Sequence, residues 1–143
     1  MRQHVFMDKY PVFTLSLDKS ETSMGSVDDI VATLKARIEE TPKVSFIAVF
    51  DHLAHTRSIG GEVNPRIVDA KNIVFCFGHA LPNPMVMAVR PRSIGVCDMG
   101  DTFELSFLEA PMPPANIAME GWVKALRDRL LNATGCPVYC VDL

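Results

Sequence analysis

The chain has no excess of positive charge. Its 14 Lys and Arg residues stand against 17 Asp and Glu, for a net charge of −3, which excludes a generally basic nucleic-acid binder. It lacks any apolar run near the ~18 residues a membrane helix needs, although 48% of its residues are hydrophobic and mean hydropathy is +0.16. The segment Met1 to Tyr10, with Arg2, His4, Asp8 and Lys9, has no apolar stretch of the secretory type. A cytoplasmic location is therefore expected, with the cysteines held as thiols. There is no glycine-rich phosphate loop and no nucleophile elbow. What remains is a single domain of 143 residues, long enough to bury most of its core without crosslinks. Its high apolar fraction predicts a surface patch that a second copy covers, hence a homodimer.

The apolar pattern gives the elements. Pro11 to Asp18 alternates as a strand, with Phe13, Leu15 and Leu17 toward the core. Ser26 suits a helix N-cap, followed by Asp28 and Asp29 in the first turn and a stripe of Val27, Ile30, Val31, Leu34 and Ile38. Pro42 closes that helix. Val44 to Phe50 is almost wholly apolar, which predicts a central strand covered on both faces. A short helix over Leu53 to Ser58, a second apolar strand over Asn72 to Phe77, and a short helix beginning near Pro84 follow. Ser93–Cys97 and Thr102–Leu108 read as strands joined by a hairpin at Asp98-Met99-Gly100-Asp101. A long helix from Ala115 to Asn132, stopped at Gly135, and a last short strand over Val138 to Val141 complete the chain. This order predicts an α+β two-layer sandwich, an antiparallel or mixed sheet with helices on one face.

Chemistry-bearing residues gather where strands end. Asp51 and His52 abruptly close the first apolar run, and His55 follows at a spacing that puts both rings on one side of a helical turn. Gly78 and His79 close the second run. If the two strands are neighbours, Asp51, His52, His55, Gly78 and His79 rim one pocket for a small molecule. Imidazoles so placed suit a general base, or a metal or haem iron held by His52, His55 and His79 with Asp51 behind one of them. Against this, no zinc-ligand spacing is present, and loop histidines are more often solvated.

Cys76 and Cys97 read as small buried residues, or else as thiols for sulfur or redox chemistry if one is exposed and acidic. Cys136 and Cys140, on a strand, would stand about 13 Å apart, beyond the ~7 Å reach of a disulfide. Arg57, Arg66, Arg90 and Arg92 suit an anion, although scattered arginines are usually solvated. Met85, Met87 and Met99 read first as core filling and second as the lining of an adaptable pocket.

One resemblance runs over Ser26 to Leu131. Phe50-Asp51-His52, then Gly60, Pro65 and the strand Ile73 to Gly78 resemble the bacterial and archaeal domain-of-unknown-function family 302, as a divergent member or sister family. Met85 to Val89, Arg90-Pro91, the hairpin at Gly100 and Ser106 to Pro111 continue the pattern. The family's Gly-Asn-Pro is here Gly78-His79, with Asn83-Pro84 displaced. Arg90 stands where the family has an acid, and Phe107 where it has a tyrosine. The resemblance thus implies the fold, like one half of TATA-binding protein and commonly dimeric, and leaves the polar site open. It brings no activity and no cofactor. The leading expectation is a small-ligand-binding domain; the alternatives are a thiol- or histidine-dependent enzyme and a metal- or haem-binding protein.

Overall fold

The computed structural model describes residues 1–78, 80–131 and 137–139. An N-terminal hairpin pairs β1 (Arg2–Phe6) with β2 (Tyr10–Asp18). After a 3-10 turn at Lys19–Glu21 comes α1 (Val27–Glu40), capped as its sequence predicts: the Ser26 side chain accepts from the Asp29 backbone N–H at 3.1 Å. Then follow β3 (Val44–Asp51), α2 (His52–Ser58), β4 (Asp69–Phe77), a 3-10 helix at Pro84–Val89, β5 (Arg92–Asp98), β6 (Thr102–Leu108) and α3 (Pro113–Lys124). Two short strands, β7 (Arg129–Leu131) and β8 (Pro137–Tyr139), pair with each other.

The first six strands form one sheet in the order β1-β2-β6-β5-β4-β3, with every neighbouring pair antiparallel. The architecture is the expected α+β sandwich. Register places Leu15, Leu105 and Val96 in one transverse row and Ile73 beside Ile94, all on the helix side. Ile30, Leu34 and Ile38 of α1 and Met119, Trp122 and Val123 of α3 close over them as a single core. The opposite sheet face is more polar, and α1 and α3 both pack on the other side of the sheet. Thr14, Ser106, Gly95, Asn72 and Phe50 cross it in one row.

The structure departs from the sequence expectations at four places. β3 is an edge strand, not a central one. Ile47, Val49 and Phe50 are 51%, 41% and 43% exposed. Its apolar run reflects an uncovered edge, with a bulge at Ile47 where the register against β4 shifts. β1 was not anticipated, because its sequence has no alternation of its own and it forms by pairing onto β2. α3 stops at Lys124 rather than running to Asn132. Asp128 is held by Ser23, accepting from its backbone N–H at 2.7 Å and from its hydroxyl, and Arg127 lies 2.8 Å from Glu21. Those contacts draw the chain out of the helix. Finally, Met85 and Met87 do not fill the core; they are exposed on the Pro84–Val89 turn. Asn132, Gly135, Cys136 and Cys140 lie outside the described residues.

Candidate functional site

The two apolar strands are neighbours, as the pocket expectation required, but they run antiparallel. Asp51 lies opposite Lys71, at the start of β4, whereas Phe77 at its end lies opposite Val44. The 8-residue length of β3 therefore puts about 23 Å between the Asp51–His52 end and the Gly78 end, at 3.3 Å per residue. The structure does not bring Asp51, His52 and His55 together with Gly78. His79 itself lies outside the described residues.

At the first end, the residues do structural work. Asp51 caps α2, accepting from the Ala54 backbone N–H at 3.0 Å, and its other oxygen stands 4.0 Å from Lys71 Nζ. Lys71 also pairs with Asp28 at the start of α1. That hydrogen bond holds its ammonium above the ordinary lysine range, against the opposing effect of burial. His52 donates from Nδ1 to Asn72 Oδ1 at 3.1 Å. The Phe50 ring packs against both imidazoles, with centroids 5.4 Å from His52 and 5.3 Å from His55. Both histidines are exposed. Among the described residues no three His, Cys, Asp or Glu side chains are grouped so as to hold a metal ion.

The thiols are separate from each other and from the histidines. Cys97 lies on the open sheet face opposite Glu104. Burial, then the Glu104 and Asp69 carboxylates, push its thiol up, away from the thiolate that nucleophilic chemistry requires. Cys76 is half-buried, donates to the Phe77 carbonyl at 3.2 Å, and borders a hollow of about 550 Å³ with Ile47, Leu81 and Met87.

The Gly78 end carries a different site from the one expected. Here the end of β4, the turn before β3 and the start of α3 enclose a cleft of about 480 Å³, lined by Lys43, Val44, Phe77, Gly78, Arg90, Met112, Ala115 and Ala118 among others. An inner recess of about 110 Å³ adjoins it, sharing Phe77, Arg90, Met112 and Ala115 and reaching Arg92. Phe77 forms the floor and is fixed from behind. It stacks on Trp122 at 5.6 Å and 7° between planes, while Phe75 meets both rings edge-on.

Gly78 has a specific part in this. Its φ of +104° suits glycine, and a Cβ there would come within 2.7 Å of Arg90 Nη2, so the guanidinium lies directly against the bare backbone. Arg90 Nη1 donates to the Ala80 carbonyl at 2.6 Å. Arg92, only 9% exposed, donates to the Val89 carbonyl at 3.3 Å and to the Leu108 carbonyl. Burial alone pushes its guanidinium down from the ordinary arginine range.

Arg92 was detectable. It shares a face of β5 with Ile94 and Val96, so a cation on a core-facing alternation marks it as unusual. Lys43, Phe77 and Met112 had no such signal, because they converge from three segments with no common period.

Searches for similar proteins return no curated protein and no solved structure. A family model does match, and it describes a different unknown-function family from the one that Phe50-Asp51-His52 and the following motifs resemble. The chain belongs to the family of unknown function DUF6858, whose model matches residues 1–128.

Proposed function

We propose that the protein is a cytoplasmic, homodimeric small-ligand-binding domain whose pocket is the cleft at the end of β4. One observation carries the reading: a recessed space of about 480 Å³ with an aromatic floor held rigid by Trp122. That volume lies in the ~300–1,000 Å³ range of small-molecule sites, which are concave, largely apolar and mostly pre-formed. The rings of Phe75, Phe77 and Trp122 fix the floor before any ligand arrives. The test is a small-molecule library screened by thermal shift, with hits mapped by NMR on the Met112 methyl and the Trp122 indole. Hits that perturb both signals support the reading. A library whose binders all leave both signals unmoved overturns it.

The homodimer reading rests on the edge strand. β3 leaves its outer edge unpaired and exposes Ile47, Val49 and Phe50, an arrangement that invites another strand. Sedimentation equilibrium at micromolar concentration should give a dimer, and Phe50→Asp a monomer; a monomeric parent chain overturns this part.

A further inference from the structure

We propose that the cleft takes an amphipathic monocarboxylate, with the acid group on Arg90 beside Lys43 and the apolar body against Phe77, Met112 and Ala118. This deepens the small-ligand reading and rests on it.

The chain carries a net −3, yet among the described residues no Asp or Glu lines the cleft or its recess, whereas Lys43, Arg90 and Arg92 do. Several cations elsewhere meet carboxylates: Lys19 with Asp98, Lys35 with Glu39, Lys71 with Asp28, Lys124 with Glu120. Lys43, Arg90 and Arg92 have no carboxylate partner among the described residues. A partly or wholly buried cation facing apolar walls is costly unless an anion meets it; half-buried Arg90 and buried Arg92 stand at the recess, with exposed Lys43 on the cleft's rim, and together they leave a vacancy of one sign.

The geometry fits a planar acid. Arg90 uses one N–H on the Ala80 carbonyl, and its Nε and Nη2 have no partner among the described residues. Guanidinium donors in that fork match the two oxygens of a carboxylate. Gly78 lets the guanidinium settle against the backbone, so its position is set by packing rather than by a carboxylate neighbour. Lys43 holds a left-handed backbone conformation at φ +63°, a strained geometry of the kind that collects at binding sites. The remaining walls are apolar: Phe77, Met112, Ala115 and Ala118. An acid group with a hydrocarbon or aromatic body satisfies both halves.

The test uses the full chain and four probes: octanoate, octanol, octylammonium and octyl phosphate. The readout is fluorescence of Trp122, the only tryptophan, which stacks on the cleft floor. Octanoate should bind at least tenfold more tightly than octanol and octyl phosphate, and octylammonium should not bind. Arg90→Met should remove the preference for octanoate while leaving octanol unchanged, and Arg90→Lys should restore part of it. Lys43→Gln, at an exposed position, should weaken octanoate severalfold in low salt and little in high salt. Equal binding of octanoate and octanol, or a preference for octanoate that survives both Arg90→Met and Lys43→Gln, overturns the acid assignment and leaves the cleft as a neutral-ligand site. Tighter binding of octyl phosphate replaces the carboxylate with a phosphate ester and overturns the proposal as stated. If none of the four probes moves Trp122 fluorescence, the proposal fails. The library screen above then decides separately whether the cleft binds anything.

Discussion

Arg92→Met should leave stability almost unchanged, although it removes two hydrogen bonds from a buried residue. Arg92 is 9% exposed as a residue, and its guanidinium donates to two main-chain carbonyls, Val89 at 3.3 Å and Leu108. A hydrogen bond to a charged group contributes roughly 1.5–3 kcal/mol, and the longer contact to Val89 counts for the lower part of that range or less. Opposing this is the burial of a cation that no carboxylate neutralises among the described residues, which costs several kcal/mol after relaxation. The downward push on its pKa comes from burial alone and has the same cause. Because the folded value lies below the unfolded one, folding disfavours the charged form relative to the unfolded chain. This penalty is present at every pH below the folded value, which includes neutral pH.

Methionine retains most of the apolar stem that packs beside Val89 and Ala110. The net change should fall within about 1 kcal/mol of zero, or roughly 2–4 °C in Tm for a domain of this size. Urea unfolding followed by Trp122 fluorescence measures it. A loss of about 3 kcal/mol or more would refute the reasoning and make Arg92 a clamp between the Pro84–Val89 turn and β6. Near-neutrality means that the cation is kept for something other than stability.

Three further outcomes test other parts of the structure. Asp51→Ala removes the N-cap of α2 and should cost about 1 kcal/mol, read as faster hydrogen exchange at Ala54 and in the following turn; unchanged exchange would show that the cap is idle. Lys71→Met should flatten the alkaline side of the stability profile. The folded pKa of Lys71 lies above its ordinary value of 10.5, so its contribution is complete below that value and is lost as pH rises through the folded one. Equal slopes for parent and variant above pH 10 would contradict this. Cys97 should react with iodoacetamide far more slowly at pH 7.5 than an unfolded thiol does, since burial and two carboxylates hold it protonated; rapid labelling in the native state would revive the thiol-enzyme alternative.

Much of the fold was legible because it is written in local periods. The stripe of α1 and its Ser26 cap, the alternation in β2 and β6, and the turn at Asp98–Asp101 all need only neighbours within a few residues. The hairpin closes as expected, with the Met99 backbone N–H on the Thr102 carbonyl at 2.9 Å and Gly100 at φ +95°. Strand order is not a local property. The run Val44 to Phe50 has the composition of a covered strand, and only the pairing of β6 with β2 reveals that it ends up at the edge. The same limit governed the site. Asp51-His52 and Gly78 both mark strand ends, but whether two strand ends meet depends on strand direction, and antiparallel pairing sends them apart. Arg90 and Arg92 were visible as possible anion ligands. Nothing in the sequence showed that Lys43 and Met112 face the same space.

The sheet contains a long-distance seam. β3, β4, β5 and β6 are laid down in sequence order, each against the one before. β2 then joins at β6, with Val12 opposite Leu108, and the intervening chain must bridge back across four strand intervals, about 19 Å. The 14 residues of α1 extend about 21 Å, but they run lengthwise along β3 and β4: Asp28 at the start of the helix pairs with Lys71, and the chain leaving it enters β3 at Val44, opposite Phe77. Folding of this protein should therefore be a two-tempo process, in which a meander assembles by pairing each strand with the next in sequence and the N-terminal hairpin docks afterwards against the entropy of a large closed loop.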